Sequence, residues 1–280
     1  MPEIITIGFP GGPAWGDGGV VGFGSPLSAE DVPALAEVVR SGIEREGHVV
    51  ALYPSWAAEP STRRLATVRS ALETGRVATY GVALPPLAGA VFARLAAAVA
   101  TYIPSPGVLL SGLPRLEREL ILVAWLSSVS RLRHPAPSVW QHARSWAPGS
   151  AFGAVLWPRP VVRRLHRRDR TLPLSLPDHP IRLVVSSRDG DLAWAREVVV
   201  PALGDPPTKE VPATDEGAAW WGSRRLVEVV GYPVDVPGLA GRISLGVEGT
   251  VCWWCDETVA TDPCPFCGLN ARLAGVGGAE

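Results

Sequence analysis

All four cysteines of this 280-residue chain, Cys252, Cys255, Cys264 and Cys267, fall within one short segment near its end. The segment reads CWWCDETVATDPCPFCG, a C-x2-C-x8-C-x2-C pattern. Each Cys-x-x-Cys hook can turn two thiolates inward, and four thiolates satisfy a tetrahedral ion. Soft sulfur ligands suit zinc or iron. A shell closed by four protein ligands leaves no position for water or substrate, so the site is structural rather than catalytic. Such an ion can supply the folding energy of a tail too small to have its own core. Two disulfides are the alternative, and they need an oxidising compartment. The opening run MPEIITIGFPGG lacks the basic stretch and apolar core of a secretory signal, so a cytoplasmic location is expected.

The second hook is Cys264-Pro265-Phe266-Cys267-Gly268. Proline stiffens its turn, and the glycine lets the backbone fold back so that amides face the sulfurs. This hook resembles the knuckle of zinc ribbons and rubredoxins. The whole run looks like the short zinc ribbons that many bacterial proteins carry at one terminus. The resemblance implies a structural Zn2+ on the four cysteines within residues 249–272, and it says nothing about activity.

Hydrophobic residues make up 47% of the chain and the mean hydropathy is +0.17, enough to build a buried core. The longest apolar stretch, Leu87 to Ile103, is interrupted by Arg94 and is too short to span a bilayer, so no membrane partner is expected. Lys209 is the one lysine, so any Schiff-base or phosphate-binding lysine has a single candidate. No G-x-x-x-x-G-K-[ST], H-E-x-x-H or G-x-S-x-G pattern occurs, which removes the usual P-loop nucleotidases, zinc proteases and serine hydrolases. The net charge of −1 hides a contrast. Residues 101–180 carry 11 basic and 4 acidic side chains, and residues 181–280 carry 8 and 14.

Strand and helix signals alternate through the first 110 residues. Ile4 to Phe9 reads as a strand, and Ser28 can cap a helix whose Val32, Leu35, Ala36, Val39 and Ile43 recur at helical spacing. His48 to Tyr53 is the next strand. Ser61 opens a second helix, Val77 to Leu84 is a third strand and Ala88 to Ile103 a buried helix. Val108 to Ser111 is expected as a fourth strand and Arg115 to Leu132 as a helix. Strands at Ile181 to Ser186 and Val227 to Gly231 alternate with helices at Leu192 to Val200 and Glu216 to Val227, and turns dominate from Pro233 onward. This alternation predicts an α/β fold, with a mainly parallel sheet, flanking helices and a loop-rich middle segment over 133–180. The expected domains are an α/β domain over 1–132, a second or continuing α/β domain with a Pro/Arg/Trp-rich insertion over 133–248, and the ribbon over 249–272.

Four groups of residues are candidate sites. The glycine-rich loop after the first strand, with Trp15 and Asp17, and the Ser55-Trp56 pair after the second strand would share the sheet rim where open α/β sheets bind ligands. Packing of Tyr53 and Trp56 over the sheet end is the simpler use of those aromatics. Arg163, Arg164, Arg167 and Arg168 form a candidate anion patch, against a plain solvated face. Asp189 and Asp191 follow a strand and suit a helix start better than magnesium. Trp253 and Trp254 can contact a partner or clamp the ribbon onto the body, and the clamp is favoured because two exposed indoles would be sticky.

The missing catalytic motifs, the tryptophans and the ribbon together point to a non-catalytic interaction or regulatory component of a bacterial multiprotein assembly, with a protein partner. One alternative is an enzyme acting on a nucleotide or phosphorylated substrate at the sheet rim. The other is a nucleic-acid-binding protein that joins the arginine run to the ribbon. The near-zero net charge counts against extensive duplex binding.

Overall fold

Ile5 and Ile7 have no solvent contact to speak of, because their strand lies inside a sheet covered by helices. In the computed structural model, which describes residues 2–9, 20–23, 29–145, 147, 149–166 and 169–269, the chain divides into two units. The first comprises residues 1–84, 92–117 and 236–280, and the second residues 85–91 and 118–235.

The first unit holds a four-stranded sheet of β1 (Glu3–Ile7), β2 (Val21–Phe23), β3 (Val49–Pro54) and β4 (Val77–Val82). Its order is β2-β1-β3-β4 and every pair is parallel. Parallel neighbours need crossovers, and α1 (Val32–Glu46) and α2 (Ala58–Ala71) supply them. Leu35 and Val39 of α1 and Leu65 and Val68 of α2 close over β1, β3 and β4 in one apolar cluster. Gly47 ends α1 at φ 80°, and its amide donates to the Ile43 carbonyl. The α/β class with a parallel sheet and flanking helices is therefore present as expected. Helix α2 begins at Ala58, three residues before Ser61, and Ser28 lies outside the described residues.

The buried helix expected over Ala88 to Ile103 is α3 (Pro86–Ala100), and two sequence expectations fail at and after the next helix, α4 (Pro106–Arg118). Val108 to Ser111 is not a strand but part of α4. Pro106 takes the first helical position, and Leu109, Leu110, Leu113 and Leu116 are buried at helical spacing. The helix expected to run to Leu132 stops at Arg118, and Ile121–Leu126 is β5. A short run that is apolar throughout reads alike as buried strand or buried helix, and here the sheet claims it.

The second unit is built on six strands in the order β7-β6-β5-β10-β8-β9. They are β5, β6 (Phe152–Trp157), β7 (Val161–Arg164), β8 (Ile181–Arg188), β9 (Thr208–Pro212) and β10 (Leu226–Pro233). Only β8 and β9 pair in parallel. One face packs Val123, Trp125, Leu165, Val185, Val227 and Val229 against Trp194 and Val199. Those last two sit where α6 (Leu192–Trp194) passes through a π turn at Ala195–Val199 into α7 (Val200–Ala202). The 133–180 stretch contributes β6, β7 and the short α5 (Val139–Arg144), which Ser138 and Gln141 close with a capping box. Helix α8 (Asp215–Trp221) is shorter than expected and stops at Gly222, φ 62°.

Past Pro233 the chain returns to the first unit through α9 (Val236–Ser244), a helix where turns were expected, and then the hairpin of β11 (Thr250–Val251) and β12 (Thr258–Val259). Gly107 of α4 bridges to Val259, and a Cβ there would lie 1.9 Å from the Thr258 carbonyl oxygen. Alanine normally strengthens a helix by up to about 1 kcal/mol over glycine. Here backbone would have to move, so Gly107→Ala is expected to destabilise by roughly 1–3 kcal/mol and to loosen the hairpin. Urea unfolding and limited proteolysis of residues 245–269 check this. Among the described residues no helix is long and apolar enough to cross a membrane.

Candidate functional site

The two cysteine hooks repeat one backbone design. The Cys252 amide donates to the Glu257 carbonyl (2.8 Å), and the Asp256 amide returns to the Cys252 carbonyl (3.0 Å). In the second hook the Cys264 amide donates to Leu269 (2.8 Å), and the Gly268 amide returns to Cys264 (2.8 Å). Gly268 takes φ 77° at its closing position, and Asp256 takes φ 59° at the matching one without being glycine. Aspartate is among the few side chains that tolerate this region. The four sulfurs converge within 4.8 Å of one another, so they can hold a metal ion. Cys252 Sγ to Cys267 Sγ and Cys255 Sγ to Cys264 Sγ are each 3.7 Å apart. A tetrahedron with metal–sulfur bonds of about 2.3 Å has edges of about 3.8 Å.

The hooks are seated on the first unit by residues that the sequence reading did not single out. Phe266 is fully buried and meets the His48 ring edge-on at 5.6 Å, while the Arg69 guanidinium donates to the Phe266 carbonyl. His48 Nε2 lies 2.5 Å from Glu257 Oε1. Phe266 is therefore one clamp of the hooks onto the first unit. Trp253 and Trp254 stack edge-to-face on each other at 5.5 Å and are 47% and 63% exposed. Phe266 was legible in principle, as the aromatic inside the second cysteine hook.

The other candidates stay apart. Trp15 and Asp17 lie outside the described residues. Ser55 is exposed, and Trp56 Nε1 donates to the Leu84 carbonyl at 3.1 Å, so this indole is tied down over the strand end. The Tyr53 ring likewise covers Gly81 of β4. In the arginine run, Arg163 pairs with Asp169 at 2.7 Å. Hydrogen bonds from the Thr171 hydroxyl and amide hold the Asp169 carboxyl below its usual range, with Arg163 assisting. Arg164 has its Nε buried without an acceptor among the described residues, and Arg167 and Arg168 lie outside them. Asp191 caps α6 by accepting from the Trp194 amide at 3.0 Å, which is the helix-starting role.

Sequence reasoning missed two features of the second unit. Glu228 sits fully buried in β10, accepting from Trp221 Nε1 (2.7 Å) and Ser186 Oγ (3.2 Å). Burial pushes its carboxyl up to about 7, against the opposing pull of those two donors. The other feature is a cleft of 480 Å3 at one end of the six-stranded sheet, with Trp125 and Leu165 among its walls and His166, Arg170 and Arg225 among its polar groups. Neither feature has a sequence motif, because each is assembled from segments far apart in the chain.

No protein-family model and no curated protein matches the chain. Solved structures do. A stearic-acid-binding protein from Eubacterium ventriosum aligns with a TM-score of 0.56 and 11% identity, over 83% of this chain and 98% of that one. A DegV family protein from Corynebacterium glutamicum aligns with a TM-score of 0.53 and 14% identity, over 84% and 98%. A protein from Thermotoga maritima described as revealing fatty acid binding function aligns with a TM-score of 0.51 and 10% identity, over 83% and 99%.

These neighbours correct the functional expectation. Proteins of this fold are described with fatty-acid ligands, which overturns the assembly component with a protein partner and the nucleic-acid alternative. The physical reason is plain. Missing catalytic motifs do not point to a protein partner, because holding an alkyl chain needs only apolar walls, which look like core in a sequence. The neighbours add no support for zinc, which rests on the sulfurs alone. At these identities the likeness establishes architecture, and the architecture of this chain is the α/β fold of DegV family structures.

Proposed function

We propose that the protein binds a long-chain fatty acid without transforming it. The observation that supports this is the fold shared with the stearic-acid-binding protein over 98% of that protein's length. Each methylene taken out of water is worth about 0.8 kcal/mol, so an alkyl chain of ordinary length binds firmly with few polar contacts. The test is direct. The protein is delipidated and titrated with stearate and oleate while the fluorescence of its tryptophans is followed, and the complex is weighed by native mass spectrometry. One acid per chain with saturable binding is expected. A delipidated protein that keeps its circular dichroism spectrum and binds neither acid rejects the reading.

For the hooks we infer a structural Zn2+ on Cys252, Cys255, Cys264 and Cys267, the site of a short zinc ribbon over 249–272. The four soft ligands and the two 3.7 Å sulfur separations support it. Four thiolates kept reduced fit a cytoplasmic location.

A further inference from the structure

Helix α5 has two unlike sides. Its inner side is tied to the second unit. Gln141 Nε2 donates to the Val162 carbonyl of β7 at 2.8 Å, and Ser145 Oγ, one turn on, accepts from the Val129 amide at 3.1 Å. The Ser150 hydroxyl donates to the Arg144 carbonyl at 2.8 Å and fixes the end of the helix. Positions three and four apart share a helix face, so 139, 140, 143 and 144 lie away from these anchors. That outer side carries Val139 at 82% exposure and Trp140 at 77%, with Ala143 and Arg144 also exposed. Single apolar residues on a surface are ordinary. Here an aliphatic and an indole side chain stand together on a helix that the capping box at Ser138 and Gln141 holds in place.

The charge around them has one sign. Between Glu119 and Asp169 the chain carries eight arginines and no acidic residue, with Arg167 and Arg168 outside the described residues. Arg144 follows Trp140 by one helical turn. Arg131 and Arg133 are exposed on the stretch that the Val129 amide ties to the end of α5. Among the described residues no carboxylate pairs with Arg131, Arg133 or Arg144.

We propose that the outer face of α5 docks on the surface of a membrane rich in anionic lipid. Val139 and Trp140 enter the boundary between headgroups and acyl chains, where an indole buries its ring and keeps its N–H near water. Arg131, Arg133 and Arg144 meet the lipid phosphates, which guanidinium forks bind well. The contact is peripheral, because among the described residues no helix is long and apolar enough to cross a bilayer. Apolar insertion and attraction to anionic lipid together hold amphipathic segments on such surfaces. Nucleic acid is the poorer match, since bases stack on rings and Val139 offers none. The inference stands on this face and does not depend on the fatty-acid reading above.

The test floats the full chain with vesicles of phosphatidylcholine alone, or with about one third of the lipid replaced by phosphatidylglycerol. Binding is expected to the anionic vesicles, about ten-fold or more weaker to the neutral ones, and falling as salt rises from about 0.1 to 0.5 M. The double variant Val139→Ser/Trp140→Ser is expected to bind the anionic vesicles about ten-fold or more weakly than its parent. Arg144→Gln is expected to cost about five-fold. The substituted side chains are exposed and the cap at Ser138 is kept, so an unchanged circular dichroism spectrum is expected of both. Should the double variant unfold, Arg144→Gln carries the same test. A parent that ignores anionic vesicles overturns the proposal. So does equal binding to neutral vesicles, or a folded variant of either kind that binds as tightly as its parent. Capture of a single-stranded oligonucleotide without vesicle binding overturns it in favour of nucleic acid. A parent dimer that the double variant breaks, again without vesicle binding, overturns it in favour of a second copy of this chain.

Discussion

Loss of the ion proposed for the cysteine hooks is expected to free residues 249–269 from the first unit. The apparent binding energy of a structural zinc site is on the order of 10–16 kcal/mol at neutral pH in small zinc-dependent domains. No term within the hairpin approaches that size, since β11 and β12 pair over two residues each and only Val259 and Phe266 bring large apolar groups into the core. The expected result is one metal ion per chain in reduced, tag-free protein by elemental analysis. A strong chelator should then make residues 245–269 protease-sensitive and change the tryptophan fluorescence, through Trp253 and Trp254. Cys264→Ser, at a buried ligand, should lower metal affinity by several powers of ten and reproduce the chelated state. Reduced protein that carries no transition metal and still protects this segment would defeat the metal assignment.

The second large effect concerns Glu228. Its carboxyl is raised from an ordinary value of 4.5 to about 7 by burial. The folded state therefore holds this proton more tightly than the unfolded chain does. Its contribution is fully present below about pH 4.5 and is lost as pH rises towards about 7, after which it changes no further. A gap of this size corresponds to about 3 kcal/mol. Glu228→Gln cannot ionise, yet its amide oxygen still accepts from Trp221 Nε1. The stability difference between variant and parent is expected to shift by about 3 kcal/mol in favour of glutamine across that pH window. Denaturant unfolding at a series of pH values measures it, and subtracting the two profiles cancels every other titrating group. A constant difference would show that the carboxyl ionises freely. Glu228→Leu is the informative contrast, because it strands the Trp221 N–H in the core at a cost of about 1–3 kcal/mol at all pH values.

Much of the first unit can be read directly from the residues. Strands β1, β3 and β4 are short β-branched runs, and the intervening helices announce themselves through 3.6-residue spacing and the stop at Gly47. The cysteine hooks were legible for a stronger reason, since ligand spacing is chemistry and not only propensity. Reading failed where a segment was apolar on every side. Ile121–Leu126 carries no period at all, and Val108–Ser111 lies in a helix whose face only the hairpin and α9 make visible. The candidate sites fared worse. Trp125 reads as core, and is core, apart from one nitrogen that only the assembled unit shows to lack a partner among the described residues. Arg225 sits about sixty residues from the conspicuous arginine run and had nothing local to recommend it. A run of like charges draws attention, while the structure answers Arg163 with an aspartate close by and, among the described residues, gives Arg225 no carboxylate.

The order of strands in the second unit has a consequence for synthesis. Strand β5 pairs on one side with β6, which leaves the ribosome soon after it, but its other neighbour is β10, about a hundred residues downstream. At translation rates of roughly 5–20 residues per second, that edge waits roughly 5–20 s for its partner. For this interval the nascent chain presents Ile-Leu-Val-Ala-Trp-Leu along an open strand, with no charge or proline to discourage pairing with a stranger. Cells that make this protein in quantity have to shelter that hexapeptide until the far end of the message has been read.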